Sequence, residues 1–305
     1  MKGLFAIGAL VVLAGCASEL ALHLGPVTAL VVTADDEVFS ASQAGVLRGV
    51  GDAAQRFCDP PFRALALAVS RDGTRVVVAG GRPGKSGVLA VYSRGGEELA
   101  TAEIANDLVY SIALCPGDSR VLCALADGRV VVVALPELST PTELHRHGSA
   151  ATVVVAGPGL VSGGRDGLLI TSTTAATPPA VASDHSAAIS SLCLGVGPGG
   201  AARLWSGASD GKVRLHDGPR LVRTWQRLGA RVEALVSLGE PDICYAGLAN
   251  GDLLRLGPDA SGVVVVARHA ERVTALARDR GGLVVASGGV VTRWKVSVAP
   301  PRFPT

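Results

Sequence analysis

The only methionine of the 305 residues is Met1, and aromatic side chains make up just 4% of the chain, so Ala, Val, Leu and Gly must build the interior. That composition favours strands and tight turns. Charged residues are also scarce, 18% against about 25% in an ordinary soluble domain. The 48% apolar content excludes a disordered chain; no three-residue glycine period and no heptad of charge and leucine occurs, which excludes collagen and coiled coil. A net charge of +2 provides no global field for nucleic acid, and none is expected as a partner. No two of the six cysteines are spaced as CxxC or CxxCH, which removes support for structural zinc, thioredoxin-like redox chemistry and c-type haem attachment. No disulfide is required, and Cys115 with Cys123 is the one pair close enough in sequence to watch.

Met1-Lys2 and a mostly apolar run from Leu4 to Leu13 have the form of a signal peptide, too short to span a bilayer as a helix. The run ends in Leu13-Ala14-Gly15-Cys16, which resembles the lipobox of bacterial lipoproteins. A buried strand with an incidental cysteine would also fit these residues. The resemblance implies removal of residues 1–15, acylation of Cys16 and a tether over 16–18. It places the protein on the cell envelope, held to the membrane by its lipid. Ala17, rather than Asp, follows the cysteine and leans towards the outer membrane or periplasmic face.

An apolar segment of the form V-x-x-L recurs along the rest of the chain, beginning at Val27, Ala64, Val109, Ala151, Ile189, Val232 and Val273. The spacings are 37, 45, 42, 38, 43 and 41 residues, the period of a propeller blade. Each segment leads to a second strand, a glycine-containing hairpin and a third strand. Asp127-Gly128, Asp166-Gly167, Asp210-Gly211 and Asn250-Gly251 suit type I′ turns. The stretch Leu204–Asp217, LWSGASDGKVRLHD, closely resembles a WD40 repeat, and LVSGGRDGLLI from Leu160 resembles it more loosely. The resemblance covers residues 19–298 and implies an all-β, seven-bladed propeller of four-stranded antiparallel blades, with 299–305 as a tail. In that family the N-terminus often supplies the last outer strand, a role open to Glu19–Leu24. The family's polar network within a blade maps onto His147, Ser162 and Asp166 in blade four and onto His185, Ser206 and Asp210 in blade five. In blade seven it maps onto His269, Ser287 and Trp294. Blade five has His216 where Trp is usual, blade four has no Trp, and blade seven lacks the turn Asp.

Three motifs imitate chemistry. Ala79–Ser86 (AGGRPGKS) approximates a phosphate loop, yet an apolar strand, GVLAVY, follows where a helix is needed. Gly207–Gly211 matches G-x-S-x-G, but again a strand continues beyond it. His145 and His147 are two ligand types in one loop without a third. No cofactor or metal is expected.

In a propeller the blade connections and the second-to-third-strand hairpins share the top face. That face collects Arg63, Arg82, Lys85, Arg146, Arg165, Lys212, Arg227, Arg231, Arg268 and Arg272, while many acids fall on the bottom. An acidic protein segment or a small anion is the expected occupant of such a surface. The chain is therefore expected to be a membrane-anchored, non-catalytic interaction scaffold, a monomeric propeller within a larger complex. The alternatives are an envelope assembly factor resembling the propeller lipoprotein of the outer-membrane β-barrel assembly machinery, a cytosolic WD40 scaffold, a propeller accompanying a c-type cytochrome, and a propeller hydrolase or lactonase.

Overall fold

The computed structural model describes residues 21–23, 25–50, 54–172, 180–182, 185–258 and 262–295. The signal peptide, Cys16 and the tail 299–305 lie outside them. Seven four-stranded antiparallel sheets form a closed ring. The inner strands are Val27–Val32, Arg63–Val69, Val109–Leu114, Ala151–Ala156, Ile189–Val196, Val232–Val236 and Val273–Arg278. Each coincides with one of the recurring apolar segments.

Burial follows position within the blade. The inner strand of blade two, RALALAV, alternates between buried and partly open residues, as a strand facing a channel on one edge must. Its second strand, Arg75–Arg82, is buried without interruption from Val76 to Gly81. Neighbouring blades cover both of its faces, which demands a continuous apolar run rather than alternation. Its outer strand, Glu98–Ala105, is open over most of its length.

The hairpins differ from the expected type I′ turns, because only the glycine of each pair has positive φ. The N–H groups of Gly128, Gly167, Gly211 and Gly251 donate to the carbonyls of Leu125, Gly164, Ala208 and Leu248 at 3.1–3.2 Å. That is a type I turn closed by a left-handed glycine. The preceding Asp or Asn serves a different purpose: its side-chain oxygen accepts from the backbone N–H two residues on, at 3.0 Å for Asp127 and Asp210 and 3.1 Å for Asp166. Asn250 does the same for Asp252 at 3.2 Å.

Blade-to-blade packing uses matched sizes at one site. Gly163, Gly207 and Gly247 on second strands receive Ile189, Val232 and Val273, which begin the next inner strands. Where the incoming residue is small, as with Ala64 and Ala151, the second strand carries Ala41 and Ala124, all of them buried in shared clusters. The ring closes as expected from the amino terminus. Ala21–Leu22 pairs antiparallel with the third strand of blade seven, Val290–Lys295, through Ala21↔Val291 and Leu22↔Val290. The phosphate-loop imitation is a hairpin joining Arg75–Arg82 to Ser86–Ser93, with the Lys85 N–H on the Arg82 carbonyl at 3.0 Å.

A Cβ on Gly207 would lie 2.5 Å from Cγ1 of Val232. Gly207→Ala should therefore destabilise the protein by about 1–3 kcal/mol through overpacking, and Val232→Ala in the same chain should recover part of the loss. Urea denaturation of the two single variants and the double variant tests this; strictly additive effects would mean that the two positions are not matched.

Candidate functional site

Two arrangements meet the sequence-based site residues: polar networks inside the blades and cations on the top face. In blade four, His147 Nδ1 is 3.1 Å from Asp166 Oδ1 and Nε2 is 2.8 Å from Ser162 Oγ. His145, on the outer strand of blade three (Thr142–Arg146), reaches into the same network. Its Nε2 lies 2.8 Å from Ser162 Oγ and its Nδ1 lies 2.8 Å from Ser172 Oγ. The two histidines of the supposed ligand pair thus share a serine.

Blade five adds a residue that sequence reasoning missed. Arg214 is buried, and its guanidinium contacts His185 Nδ1 and lies 3.5 Å from Asp210 Oδ2. Arginine can only donate, so His185 Nδ1 accepts, the ring is neutral, and its proton is on Nε2, which donates to Ser206 Oγ at 2.7 Å. The serine hydroxyl then donates to His216 Nε2 at 3.1 Å. Burial, then the charge of Arg214, pushes His185 down to about 4.

Blade seven departs from the expected network. Ser206 pairs with Arg214 across its hairpin and His216 follows two residues later; the corresponding pair in blade seven is Val285 with Thr292, followed by Trp294. Trp294 therefore holds the expected place, but Val285 stands where the serine should be. Ser287 is two residues closer to the turn and donates to the Glu271 carbonyl at 2.8 Å. The Trp294 indole N–H goes to Thr292 Oγ1 at 2.9 Å, and His269 Nε2 is left unpartnered against the Trp294 ring. Blade one shows the reverse, a pair not among the expected networks: His23 Nε2 meets Ser40 Oγ at 2.8 Å, with His23 four residues before the inner strand at Val27, as His147 is before Ala151.

The ten predicted top-face cations are all exposed except Lys212, which is half-buried. Arg146 pairs with Glu143 at 3.1 Å, Arg231 with Glu233 at 2.6 Å and Arg268 with Asp252 at 3.3 Å. Arg82 donates to the Pro61 carbonyl, and Arg165 lies over the Tyr110 ring. Among the described residues no carboxylate forms an ion pair with Arg63, Arg82, Lys85, Arg165, Lys212, Arg227 or Arg272. Arg63 and Arg82 flank a hollow of about 330 Å³ with Gln43 and Pro60. On the bottom face, arginines clamp several of the acids. Arg94 binds Asp35 and Glu37, Arg280 binds Asp36, and Arg203 binds Asp217 and Asp242. Hydrogen bonds from Thr33 and then Arg94 hold the Asp35 carboxyl at about 2.

The central channel, about 240 Å³, is lined by inner-strand residues including Thr28, Tyr110, Thr152, Ser190 and Glu233. Among the described residues no three His, Cys, Asp or Glu side chains are grouped to hold a metal ion, and no helix is long and apolar enough to cross a membrane. The five described cysteines are free thiols. The two in hydrogen-bond contact are Cys193 and Cys244, in neighbouring blades, rather than Cys115 and Cys123; burial pushes the Cys244 thiol well up.

No family model and no curated protein matches the chain. Among solved structures it is similar to a chain of the mitotic checkpoint complex, with a TM-score of 0.78 and 16% identity over 97% of this chain and 95% of that one. It is similar to the WD40 repeats of RRP9 at 0.77 and 17%, over 91% of this chain and 99% of that one. The structure of U3-55K gives 0.76 and 19%, over 92% and 95%. The fold is that of the WD40-repeat propellers.

His23 and His185 are buried, and burial lowers each from 6.5 to about 4. The unfolded chain binds these protons near pH 6.5 and the fold does not, so stability is complete above about pH 6.5 and is lost as the pH falls towards 4, by at most about 3 kcal/mol per histidine. Urea midpoints from pH 7 to 4.5 should fall accordingly, and His23→Gln should flatten the slope. A midpoint independent of pH over that window would contradict the neutral, buried imidazoles.

Proposed function

We propose that the protein is a non-catalytic scaffold whose top face binds an acidic segment of another protein. The observation that carries this is the set of exposed cations there, Arg63, Arg82, Lys85, Arg165, Arg227 and Arg272, which no described carboxylate neutralises. They project from hairpins and blade connections fixed by a closed ring, so a partner meets them without first ordering them. The likeness to a chain of the mitotic checkpoint complex is consistent with a role inside an assembly.

The same proposal places the protein on the bacterial cell envelope, with residues 1–15 removed and Cys16 acylated. A single acyl chain holds a protein only marginally, so the modification involves several. The closing strand Ala21–Leu22 is antiparallel to the third strand of blade seven and runs from bottom to top. That direction supports our reading that a lipid on Cys16 lies on the side of the bottom rim, with the cationic face turned away from the bilayer.

Charge reversal at Arg63, Lys85 and Arg272 together should weaken binding of a poly-glutamate peptide at least tenfold, whereas reversal at the paired Arg268 should change it much less. Fluorescence anisotropy at low and physiological salt reads both; equal effects from the two variants would reject the unpaired cations as the site. For the anchor, intact mass and membrane partition of the native protein beside its Cys16→Ser variant are decisive. Acylated, membrane-bound native protein and a released variant are expected, whereas native protein that is soluble and keeps residues 1–15 would remove the envelope assignment.

A further inference from the structure

On the bottom face, arginines and carboxylates tie most neighbouring blades together. Arg94 of blade two grips Asp35 and Glu37 of blade one. Asp118 of blade three accepts from the Arg71 N–H of blade two at 2.6 Å, and its carbonyl accepts from Arg75 at 3.3 Å. Arg280 of blade seven binds Asp36 of blade one at 3.5 Å, and Arg203 of blade five binds Asp242 of blade six at 3.2 Å. Among the described residues no such tie joins the bottom turn of blade four to either neighbour.

Two grooves occupy those places. One, of about 420 Å³, lies between blades three and four and is lined by Cys115, Arg120, Val132, Leu144 and Leu160. The other, of about 300 Å³, lies between blades four and five and is lined by Val161, Leu169, Val181, Leu194 and Leu204. Both are bounded by the Pro158-Gly159 turn of blade four, which stands between them as a ridge. The exposed large apolar side chains concentrate in the same sector. Val181 on blade four is 58% exposed, Leu194, Leu221 and Val222 on blade five are 38%, 40% and 44% exposed, and Val265 on blade six is 47% exposed; Leu99 on blade two is the exception. Val181 and Leu194 line the second groove itself, and exposed aliphatic side chains gathered at a groove mark an interaction surface.

Charge identifies the occupant. Arg120 is exposed at the first groove and has no carboxylate within ion-pair distance among the described residues. Arg203, among the described residues the one charged side chain lining the second groove, is already held by Asp217 and Asp242. We infer that the double groove around the Pro158-Gly159 ridge of blade four binds an extended aliphatic segment of a partner protein, with an acidic residue of that segment on Arg120. Aliphatic side chains fill the two grooves and the carboxylate fixes the register. This surface lies on the face opposite the top cations and does not rest on their binding an acidic partner.

The test is to pan a phage-displayed library of random nine-residue peptides against the full-length protein and measure the synthetic consensus peptide by calorimetry. Selected peptides should combine two or more aliphatic residues with an Asp or Glu. Arg120→Glu and the double variant Val181→Asp with Leu194→Asp should each weaken binding at least tenfold, while Arg63→Glu on the top face should leave it unchanged. These positions are exposed, and melting temperatures near that of the native protein will confirm that the variants fold. Enrichment of peptides that bind the groove variants as well as the native protein overturns the proposal. Failure of any peptide to enrich above the Val181→Asp, Leu194→Asp control does the same. So does co-sedimentation with phosphatidylcholine vesicles that the double variant abolishes, because the grooves would then be a lipid surface.

Discussion

The ring depends on hydroxyls near the start of the inner strands, three of which bond one blade to the next across a narrow channel. Thr28 donates to the Ala64 carbonyl of blade two at 2.9 Å, Thr152 to the Ile189 carbonyl of blade five, and Ser190 to the Val232 carbonyl of blade six. One residue further along, Ser111 and Ser191 accept from the N–H groups of Val154 and Leu235 at 3.2 and 3.0 Å. The inner edge of a sheet otherwise exposes backbone groups that no neighbouring strand pairs, and leaving such groups buried and unpaired is costly. Small hydroxyls satisfy them without widening the channel. The scarcity of large side chains fits this geometry: seven strands converging on one axis are lined mostly by Thr, Ser, Ala and Leu, with Tyr110 and Glu233 the larger members.

Once the inner edges are joined, the blades have two ways to be different. Their interiors can be polar, as in blades four and five, where histidine, serine and aspartate satisfy one another and Arg214 joins them, or apolar, as in blades two and three, which share a cluster of Val, Leu, Ile and Ala. Their bottom turns can be clamped by arginine or left open. Rigid geometry is common to all seven blades, and individuality is confined to these positions. The unpaired cations above and the open grooves beside blade four below both arise at positions of this kind.

Much of this was legible in the sequence because propellers are local. Each blade is a run of consecutive strands joined by short turns, so the spacing of V-x-x-L segments from Val27 to Val273 located every inner strand. The closing pairing was legible too, because Glu19–Leu24 had no other place in a ring that must hide its edges. Register within the blades was harder. Ser287 looked like the partner of His269 because serine, histidine and tryptophan all occur in blade seven, but the tighter hairpin there puts Val285 at the position that matters. In the four Asp-Gly and Asn-Gly hairpins the glycine alone adopts positive φ, which the residue pairs could not reveal. Least legible was the charge on the bottom face. Arg280 and Asp36 are far apart in sequence and meet only because the ring closes, so counting loop charges could not reveal which acids are paired.

The closing strand also sets the order of events in the protein's life. Ala21 leaves the ribosome before any of the seven inner strands, and its partner Val291 only after all of them. Six blades can assemble from neighbouring segments while the chain grows, but the ring cannot. Until the last blade is made, the nascent protein carries the apolar inner and side surfaces of an open arc, with Val27 and Ala286 of one shared cluster on opposite ends of the chain. Long-range closure of this kind is slow and leaves strand edges available to other chains. The two-residue pairing at Ala21–Leu22 therefore acts as a latch thrown only once blade seven has been made, and the interval before it is thrown is when the chain is most exposed to mispairing.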